Sequence, residues 1–320
     1  MRVGQNPAKF VKEVAKPARI TVAVLNYIPF LSGFYAEMLD LLKASLGNIW
    51  ANTDLPYDLM VFDNGSCEEV RQYLSDSYEQ GRIQYLLLSS RNLGKGGAWN
   101  QIFGGAPGEI IAYADNDCYF YPGWLSQSMQ ILEAYPNVGM VTARPFRTSP
   151  EFMSSTIAWA EHNPQVKIER GQFIPYEVFR EFDLSLGQSE EEIRLHYETS
   201  QDVRLSYGGV PAMVGASHWQ FVARKEVLQQ FLPFNMDRPM GQVRQLDQRM
   251  NEAGYLRLMP TECYAMNLSN TLRNAPGTVS ASPVQAPKKQ KKYPLLDLPP
   301  VKSGLLALYN RIFQWYYDRQ

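Results

Sequence analysis

The chain has 320 residues, of which 45% are hydrophobic and 20% are charged, a composition typical of globular proteins and not of disordered ones. Its 31 Lys and Arg against 32 Asp and Glu give a formal net charge of −1, so a nucleic-acid partner is not expected. Three cysteines without a C-x-x-C pair predict neither a zinc site nor a disulfide framework, and they favour a reducing cytoplasm. The N-terminus lacks the apolar core of a signal peptide, and no run of 18 apolar residues predicts a membrane span.

Strand-like apolar runs alternate with helical patterns along the first half of the chain. The predicted strands are 20–25, 57–62, 83–88, 109–114 and 138–143. Apolar side chains recur at helical spacing over 34–46, and Ser66 with Glu69 predicts a capping box that opens a second helix at about Cys67. This alternation predicts an α/β fold with a mostly parallel sheet covered by helices on both faces. Ligands of such sheets bind beyond the carboxyl ends of the strands.

The regular pattern loosens over 148–215, an aromatic-rich stretch with one convincing helix, SEEEIRLHYETS. We interpret this stretch as an inserted or variable region that contacts the substrate. A strand, two helices and a last strand follow, and Gly254 ends the second of these helices. The pattern therefore predicts one domain over 19–274, preceded by an N-terminal extension over 1–18.

The end of the chain has a different composition. Residues 275–300 are rich in Pro and Lys and predict a linker, whereas 301–320 carry apolar side chains on one face of a helix. On an anionic lipid surface each lysine of KKQKK, 288–292, would contribute about 1 kcal/mol, with the helix lying in the interface. Residues 288–320 thus predict a peripheral position on the inner face of a membrane. The alternative is that this helix packs on its own domain or on a second subunit.

Two aspartates, Asp115 and Asp117, follow the fourth predicted strand and are separated by one residue. Like charges at this spacing repel, and a desolvated carboxylate costs several kcal/mol, so either both face water or a cation lies between them. Hard cations such as Mg²⁺ and Mn²⁺ take oxygen ligands and complete their shell with water and substrate phosphates. The place at the carboxyl end of a buried strand favours the cation over a solvated acidic turn.

Two further segments end strands at the same predicted edge of the sheet. Asp63 begins the turn signal D-N-G, where a carboxylate can accept hydrogen bonds from a base or ribose, and a plain turn is the alternative. Three glycines in RNLGKGGAWNQ allow close backbone approach, and the helix that follows favours an anion at its N-terminus. The spacing fits neither G-x-G-x-x-G nor a Walker A loop, and a flexible helix entry is the alternative here.

The motifs AVLNY, FDNGS, RNLGKGGAWNQ and ADND, in this order, resemble family 2 glycosyltransferases with the GT-A fold. The resemblance covers residues 19–145 well and 215–260 loosely. It implies a Rossmann-like, mostly parallel sheet flanked by helices, and an inverting transfer of a sugar from a nucleoside diphosphate that depends on Mn²⁺ or Mg²⁺. A UDP-sugar is the default donor by this resemblance. The expected acceptor is a glycan or a lipid-linked molecule, as in polysaccharide biosynthesis.

The resemblance also implies roles for individual residues. Asp115 and Asp117 match the D-x-D metal motif, with Asp117 favoured as the direct ligand. The other matching positions are expected to surround the donor nucleotide or its sugar. They are Leu25, Tyr27, Asp63, Asn92, Gly94, Lys95, Asn100 and Asn116.

The catalytic base and a late metal ligand depart from the family pattern. Relatives supply the base from an E-D pair before a helix that ends in GY, but this helix holds one aspartate, Asp247, which does not align with the usual one. Because inversion needs a carboxylate to take the acceptor proton, Asp247 is the first choice and Asp237 the second. The alternative for Asp247 is an exposed carboxylate paired with Arg244 or Arg249. Where relatives carry a late histidine near the metal, this chain has Asn267, whose carbonyl oxygen is the expected ligand.

Acceptor contacts are predicted for Trp124, His218 and Trp219, because aromatic rings stack on sugars, although core packing is the alternative for both tryptophans. Two other functions stay open. A nucleotidyltransferase of similar fold would release pyrophosphate and not a nucleoside diphosphate. A membrane-docked protein would bind sugar nucleotides with little or no turnover.

Overall fold

The computed structural model describes residues 4–237, 240, 243–272 and 311. The chain forms two compact units, Met1–Leu272 and Arg273–Gln320, and the fold and the cleft described below lie in the first. The predicted linker over 275–300 lies outside the described residues. So does the predicted amphipathic helix over 301–320, apart from Arg311.

The described residues contain strands and helices in alternation. The strands are β1 Ile20–Asn26, β2 Tyr57–Asp63, β3 Tyr85–Leu88, β4 Ile110–Asp115, β5 Cys118–Phe120, β6 Val138–Val141, β7 Lys167–Gly171, β8 Asp202–Tyr207, β9 Val210–Val214, β10 Gln220–Arg224, β11 Leu256–Met259 and β12 Ala265–Asn267. The α-helices are α1 Met38–Asn52, α2 Glu68–Glu79, α3 Gly94–Gly105, α4 Trp124–Ala134, α5 Ser154–His162, α6 Tyr176–Ser185, α7 Glu190–Thr199, α8 Lys225–Gln229 and α9 Val243–Glu252. Short 3-10 helices are formed by Pro7–Phe10, Gly33–Tyr35 and Pro150–Phe152. No helix among these residues is long and apolar enough to cross a lipid bilayer.

Ten of the strands form one sheet in the order β3-β2-β1-β4-β10-β6-β11-β9-β8-β7, while β5 and β12 pair separately. Strands β3, β2, β1, β4, β6, β11 and β8 run in one direction, and β10, β9 and β7 oppose them. The predicted α/β fold with a mostly parallel sheet flanked by helices is confirmed. The five strands predicted in the first half of the chain correspond to β1–β4 and β6.

The register brings three polar residues, Asn26, Asp63 and Asp115, together at the carboxyl ends of their strands. Asn26 at the end of β1 lies opposite Asp63 at the end of β2, and Leu25 lies opposite Asp115 at the end of β4. Every residue of β1 is buried, because helices cover both faces of this central strand and its β-branched side chains fill the core. The carboxyl ends of β1, β2 and β4 therefore meet at one place.

Two local expectations were wrong. The Oγ of Ser66 does not cap α2 but accepts hydrogen bonds from the Asn26 side chain (3.0 Å) and the Ile28 backbone (2.9 Å), so no capping box forms there. A capping box does form at Ser189, which begins α7. The stretch over 148–215 is also more regular than its sequence predicts, because it contains α5, α6, α7 and three antiparallel strands that extend the sheet.

Helices α3 and α9 pack on the same face of the sheet. Trp99 and Phe103 of α3 and Leu246 of α9 share one core cluster with Tyr113 of β4 and Phe221 of β10. Tyr113 and Phe221 are register partners with stacked rings 5.2 Å apart. This cluster fixes both helices relative to the carboxyl end of β4.

Candidate functional site

A cleft of about 670 Å³ lies beyond the carboxyl ends of β1, β2 and β4. Many of the site residues predicted from the sequence line it together. They are Leu25, Tyr27, Asn92, Lys95, Asp115, Asn116, Asp117 and Asn267. Other lining residues were not predicted as part of a site, namely Phe34, Tyr35, Met38, Asn64, Ser185, Met240, Ser269 and Asn270. Phe34 and Met38 carried only a helical-spacing signal, Asn64 belonged to the D-N-G turn signal, and the remainder carried none.

Asp115 has its charge balanced within the protein. Its Oδ2 accepts a hydrogen bond from Lys95 Nζ at 2.7 Å, and its Oδ1 accepts one from the Tyr113 hydroxyl at 2.6 Å. Lys95 lies in the first turn of α3, and its side chain is only 11% exposed. The carboxylate is thus held by one cation and one neutral donor.

Asp117 has a different environment. Its Oδ1 is buried and has no hydrogen-bond partner among the described residues, while its Oδ2 accepts from Asn267 Nδ2 at 3.2 Å. Burial, followed by the negative charge of Asp115, raises the pKa of Asp117 from 3.8 to about 7, and the positive charge of Lys95 opposes this shift. A buried, unpaired carboxylate oxygen is energetically unfavourable unless a further group binds it.

The chemistry of this pair fits a hard divalent cation. Asp117 offers an oxygen without a partner, and Asp115 is two residues away at the same cleft. Among the described residues no group of three or more His, Cys, Asp and Glu forms a complete metal site. A cation held here would therefore take further ligands from water and substrate phosphates, as Mg²⁺ commonly does.

Asn267 does not present the expected carbonyl oxygen to this position. Its amide nitrogen is directed toward Asp117, and its Oδ1 accepts from the Ser269 backbone at 2.8 Å. The residue therefore orients Asp117 and is not arranged as an oxygen ligand.

Amide side chains connect the three strand ends below the cleft. Asn116 donates to Asn26 Oδ1 at 2.7 Å, and Asn26 donates in turn to Asp63 Oδ1 at 2.8 Å. Asp63 is fully buried, and its Oδ2 accepts from the Ser66 backbone at 3.1 Å. Contrary to the prediction, Asp63 does not line the cleft but holds Asn26, which in turn holds Asn116.

A second amide pair shapes the loop that leads into α3. Asn64 donates to Asn92 Oδ1 at 3.0 Å and accepts from the Leu93 backbone at 2.8 Å, while Asn92 accepts from Gly94 N at 2.7 Å. Gly94 has a φ of +69°, a conformation that L side chains rarely adopt. Gly94 is buried and sets this backbone turn, so its predicted donor contact is replaced by a structural role.

Asn100 was predicted to close α3 onto the donor, but it faces another partner. Its side chain donates to Phe234 O at 3.0 Å and accepts from Phe234 N at 2.7 Å. Both halves of the amide are therefore used to hold the loop after α8.

The two tryptophans predicted to contact an acceptor are core residues. Trp124 is fully buried against Phe120, with ring centroids 4.0 Å apart. Trp219 is 8% exposed and packs near Phe182, with centroids 6.2 Å apart. Aromatic side chains do border the cleft, but they are those of Tyr27, Phe34 and Tyr35.

Asp247 and His218 form a pair that the sequence did not predict. Asp247 is 4% exposed, and its Oδ2 bonds to His218 Nδ1 at 2.6 Å. Its Oδ1 accepts from the buried Arg257, so its partner is neither Arg244 nor Arg249. Asp247, the candidate base on α9, is therefore shielded from an acceptor, because hydrogen bonds occupy both of its carboxylate oxygens.

Asp237, the second candidate base, is exposed and bonds locally to Asn235. Neither Asp237 nor His218 is among the residues that line the cleft.

Residues 32–180 match the family model described as glycosyl transferase family 2. A curated relative, an uncharacterized glycosyltransferase from Nostoc sp. (strain PCC 7120), is 26% identical over 123 residues, which are 38% of this chain and 35% of the relative. The chain thus spans about a third of the length of that relative.

Solved structures also align with the chain. A mannosyltransferase, PcManGT from Pyrobaculum calidifontis, in complex with GDP-Man and Mn²⁺ aligns with 77% of this chain and 55% of its own at 18% identity and a TM-score of 0.46. TarS 1-349 of S. aureus in complex with UDP-GlcNAc aligns with 79% of this chain and 61% of its own at 13% identity and a TM-score of 0.45.

The family match covers Asn92, Lys95, Asp115 and Asp117, four of the residues that line the cleft. It confirms the resemblance to family 2 glycosyltransferases that the motifs predicted. Residues 32–180 are therefore similar to glycosyl transferase family 2.

Proposed function

We propose that the protein is an inverting, metal-dependent glycosyltransferase that moves a sugar from a nucleoside-diphosphate donor to an acceptor hydroxyl. One observation carries the proposal. Within the segment that matches the family, Asp117 lines the cleft with a buried carboxylate oxygen that has no protein partner among the described residues. Such an oxygen is suited to a cation that also binds a diphosphate.

The lining of the cleft supports a place for each part of the donor. Leu25, Tyr27 and Tyr35 offer apolar and aromatic surface for a nucleobase at the end of β1. Asn116, held by Asn26, offers polar contacts for the ribose or the transferred sugar. Lys95 adds a positive charge at the N-terminal turn of α3, where a diphosphate is favoured. We take a UDP-sugar as the first donor to test.

The residues of the chain have separable tasks in this proposal. Lys95 and Tyr113 fix Asp115, and Asn267 fixes Asp117, so both carboxylates are held in place before the donor arrives. Asp117, with Asp115 beside it, would hold a divalent cation, which would supply Lewis-acid stabilisation of the charge on the leaving diphosphate. Both carboxylates face the cleft from the same strand end. The acceptor is proposed to be a glycan or a lipid-linked molecule.

The proposal is tested by donor turnover with and without metal. The purified chain is incubated with UDP-glucose, UDP-N-acetylglucosamine or GDP-mannose, with Mn²⁺ or with EDTA, and the released nucleotide is identified. Release of a nucleoside diphosphate that requires Mn²⁺ is expected, because the glycosidic bond to the diphosphate is broken. Release of pyrophosphate would instead identify a nucleotidyltransferase, and donor binding without any turnover would identify a binding protein.

The variant Asp117→Asn tests the site itself. We expect it to lose metal-dependent turnover by at least 100-fold while its far-UV circular dichroism is unchanged. The matched control is Asp54→Asn, since Asp54 lies outside the cleft and bonds only to the Ser126 backbone. Near-normal turnover in Asp117→Asn with Mn²⁺ present would refute the assignment.

A further inference from the structure

We infer that His218 is the catalytic base of this enzyme and that Asp247 and Arg257 position it. The inference rests on the proposed function, since it names the group that takes the proton of the acceptor. The expected E-D pair is absent from the sequence, and the aspartate that stands nearest to it, Asp247, is shielded by two partners. The partner of Asp247 that has an exposed part is His218, whose side chain is 27% exposed.

The chain places His218 at the carboxyl end of β4. Gln220 of β10 lies opposite Ala114 of β4, and the Trp219 carbonyl accepts a hydrogen bond from Asp115 N at 2.9 Å. His218 is therefore one residue from the backbone contact that ties β10 to the first aspartate of the metal motif. A bridge between Ser217 and Gln220 folds the chain into a turn at this position.

The imidazole also lies on the correct face of the sheet. It bonds to Asp247 of α9, and α9 packs through Leu246 into the cluster that contains Tyr113. Lys95, the partner of Asp115, lies over the ring of that same Tyr113 at 5.7 Å from its centroid. The His218–Asp247 pair and the Lys95–Asp115 pair thus share one edge and one face of the sheet.

The hydrogen bonds of the pair select the tautomer that a base requires. His218 Nδ1 lies 2.6 Å from Asp247 Oδ2, and because a carboxylate oxygen can only accept, this contact selects the neutral imidazole with its proton on Nδ1 and its lone pair on Nε2. Nε2 makes no hydrogen bond to a described residue, so it is available to an acceptor. Arg257, fully buried, donates to Asp247 and to the Ala216 carbonyl, so its guanidinium fixes the carboxylate that orients His218.

The chemical step balances with groups already named. Nε2 of His218 takes the proton of the acceptor hydroxyl while the oxygen forms a bond to the anomeric carbon of the donor sugar. The bond from that carbon to the diphosphate oxygen breaks, and the electron pair leaves with the nucleoside diphosphate. The resulting imidazolium is stabilised by Asp247 and returns its proton to solvent.

The test uses a variant that keeps the hydrogen bond but removes the basic nitrogen. In His218→Asn the side-chain amide can still donate to Asp247, so the hydrogen bond between Arg257 and Asp247 and the fold are retained. We expect kcat to fall at least 100-fold with each donor that the wild type turns over with Mn²⁺, with water or a simple glycoside as acceptor. The Michaelis constant and calorimetric dissociation constant for that donor should change less than threefold.

The matched control is the other histidine–aspartate pair among the described residues. His196 Nδ1 lies 3.3 Å from Asp183 Oδ2, and its side chain is 44% exposed, but it lies on α7 and not at the end of β4. His196→Asn should leave kcat within twofold of the wild type.

Asp247→Asn tests the positioning role. It should lower kcat without changing donor affinity, and the double variant with His218→Asn should be no slower than His218→Asn alone, because residues that act as one unit are not additive. Additive losses in kcat would overturn the positioning role of Asp247. Wild-type kcat in His218→Asn would overturn the whole inference while leaving metal-dependent turnover intact. A wild type that turns over no donor would instead overturn the proposed function, and this inference with it.

Discussion

Replacing Asp117 by Asn should make the metal-free protein more stable at pH 8, although the same change is expected to abolish turnover. In the folded chain, burial and the charge of Asp115 raise the pKa of Asp117 from 3.8 to about 7. A carboxyl with a raised pKa retains its proton in the folded state at pH values where the unfolded chain has already released it. Stability therefore falls as pH rises from about 4, and the loss is complete above about pH 7.

The size of the effect follows from this interval. Each pH unit between the unfolded-state and folded-state values is worth about 1.4 kcal/mol, which sets an upper limit of about 4 kcal/mol at pH 8. Asp117 borders a cleft, where water and side-chain relaxation lower the penalty, so we expect about 2 kcal/mol. For a domain of this size that corresponds to an increase in Tm of about 4–8 °C.

Scanning calorimetry in EDTA at pH 8, 6 and 4 would measure this difference. The gain of Asp117→Asn should be largest at pH 8 and smallest at pH 4, where Asp117 is protonated in the folded wild type and only partly ionised in the unfolded chain. Asp115→Asn is the matched control, and it should have the opposite sign because it removes the negative charge that pairs with the mostly buried Lys95 and one of the two oxygens that accept from Lys95 and Tyr113. A lower Tm for Asp117→Asn than for the wild type at pH 8 in EDTA would refute the reasoning.

Three further substitutions test packing around the site. Arg257→Met should lower the free energy of unfolding by about 3–5 kcal/mol in urea titrations, because it leaves the buried Asp247 without its cation. Asn100→Ala should cost about 1–3 kcal/mol through loss of both bonds to Phe234, yet leave the donor dissociation constant unchanged by calorimetry. Gly65→Ala should destabilise the protein and weaken donor binding, because φ is +90° there and the new Cβ would lie 2.8 Å from a backbone carbon of the loop that leads into α3.

The sequence predicted the sheet and the cation-binding edge because both depend on local patterns. Buried parallel strands appear as apolar runs, and the rule that their carboxyl ends meet places Asp115 and Asn116 near Leu25 without any knowledge of contacts. Lys95 was predicted through the family resemblance, and it lies in the first turn of the helix after the third strand. These residues line one cleft as expected.

The sequence did not predict pairings that join distant elements. Asp247 was paired with Arg244 or Arg249 by helical spacing, but the buried Arg257 of β11 is its partner, and His218 lies 29 residues away. An arginine inside an apolar strand pattern gives no local sign that it faces inward. Its partner becomes visible only when α9 and β11 pack together.

Asp63 shows a related limit. A D-N-G turn after a strand can present its carboxylate to a ligand or fold it back on the chain, and the sequence is the same in both cases. Here Asn26 and Ser66, from two other positions at the strand ends, satisfy the carboxylate and bury it. Asn116, which donates a hydrogen bond to Asn26, lines the cleft instead of Asp63.

The two aspartates of the metal motif are chemically different although they are two residues apart. Lys95 and Tyr113 satisfy Asp115 fully within the protein, so its geometry is fixed whether or not a cation is present. Asp117 keeps one buried oxygen without a partner among the described residues. The negative charge of Asp115, which Lys95 holds in place, disfavours the charged form of Asp117. The same charge that destabilises the empty site therefore increases its attraction for a divalent cation, because binding removes the repulsion between the two carboxylates. In Lys95→Met, Asp115 would lose the positive charge that balances it within the protein, so we expect a tighter apparent Mn²⁺ affinity. We also expect slower turnover, because the lysine is then missing from the diphosphate end of the cleft.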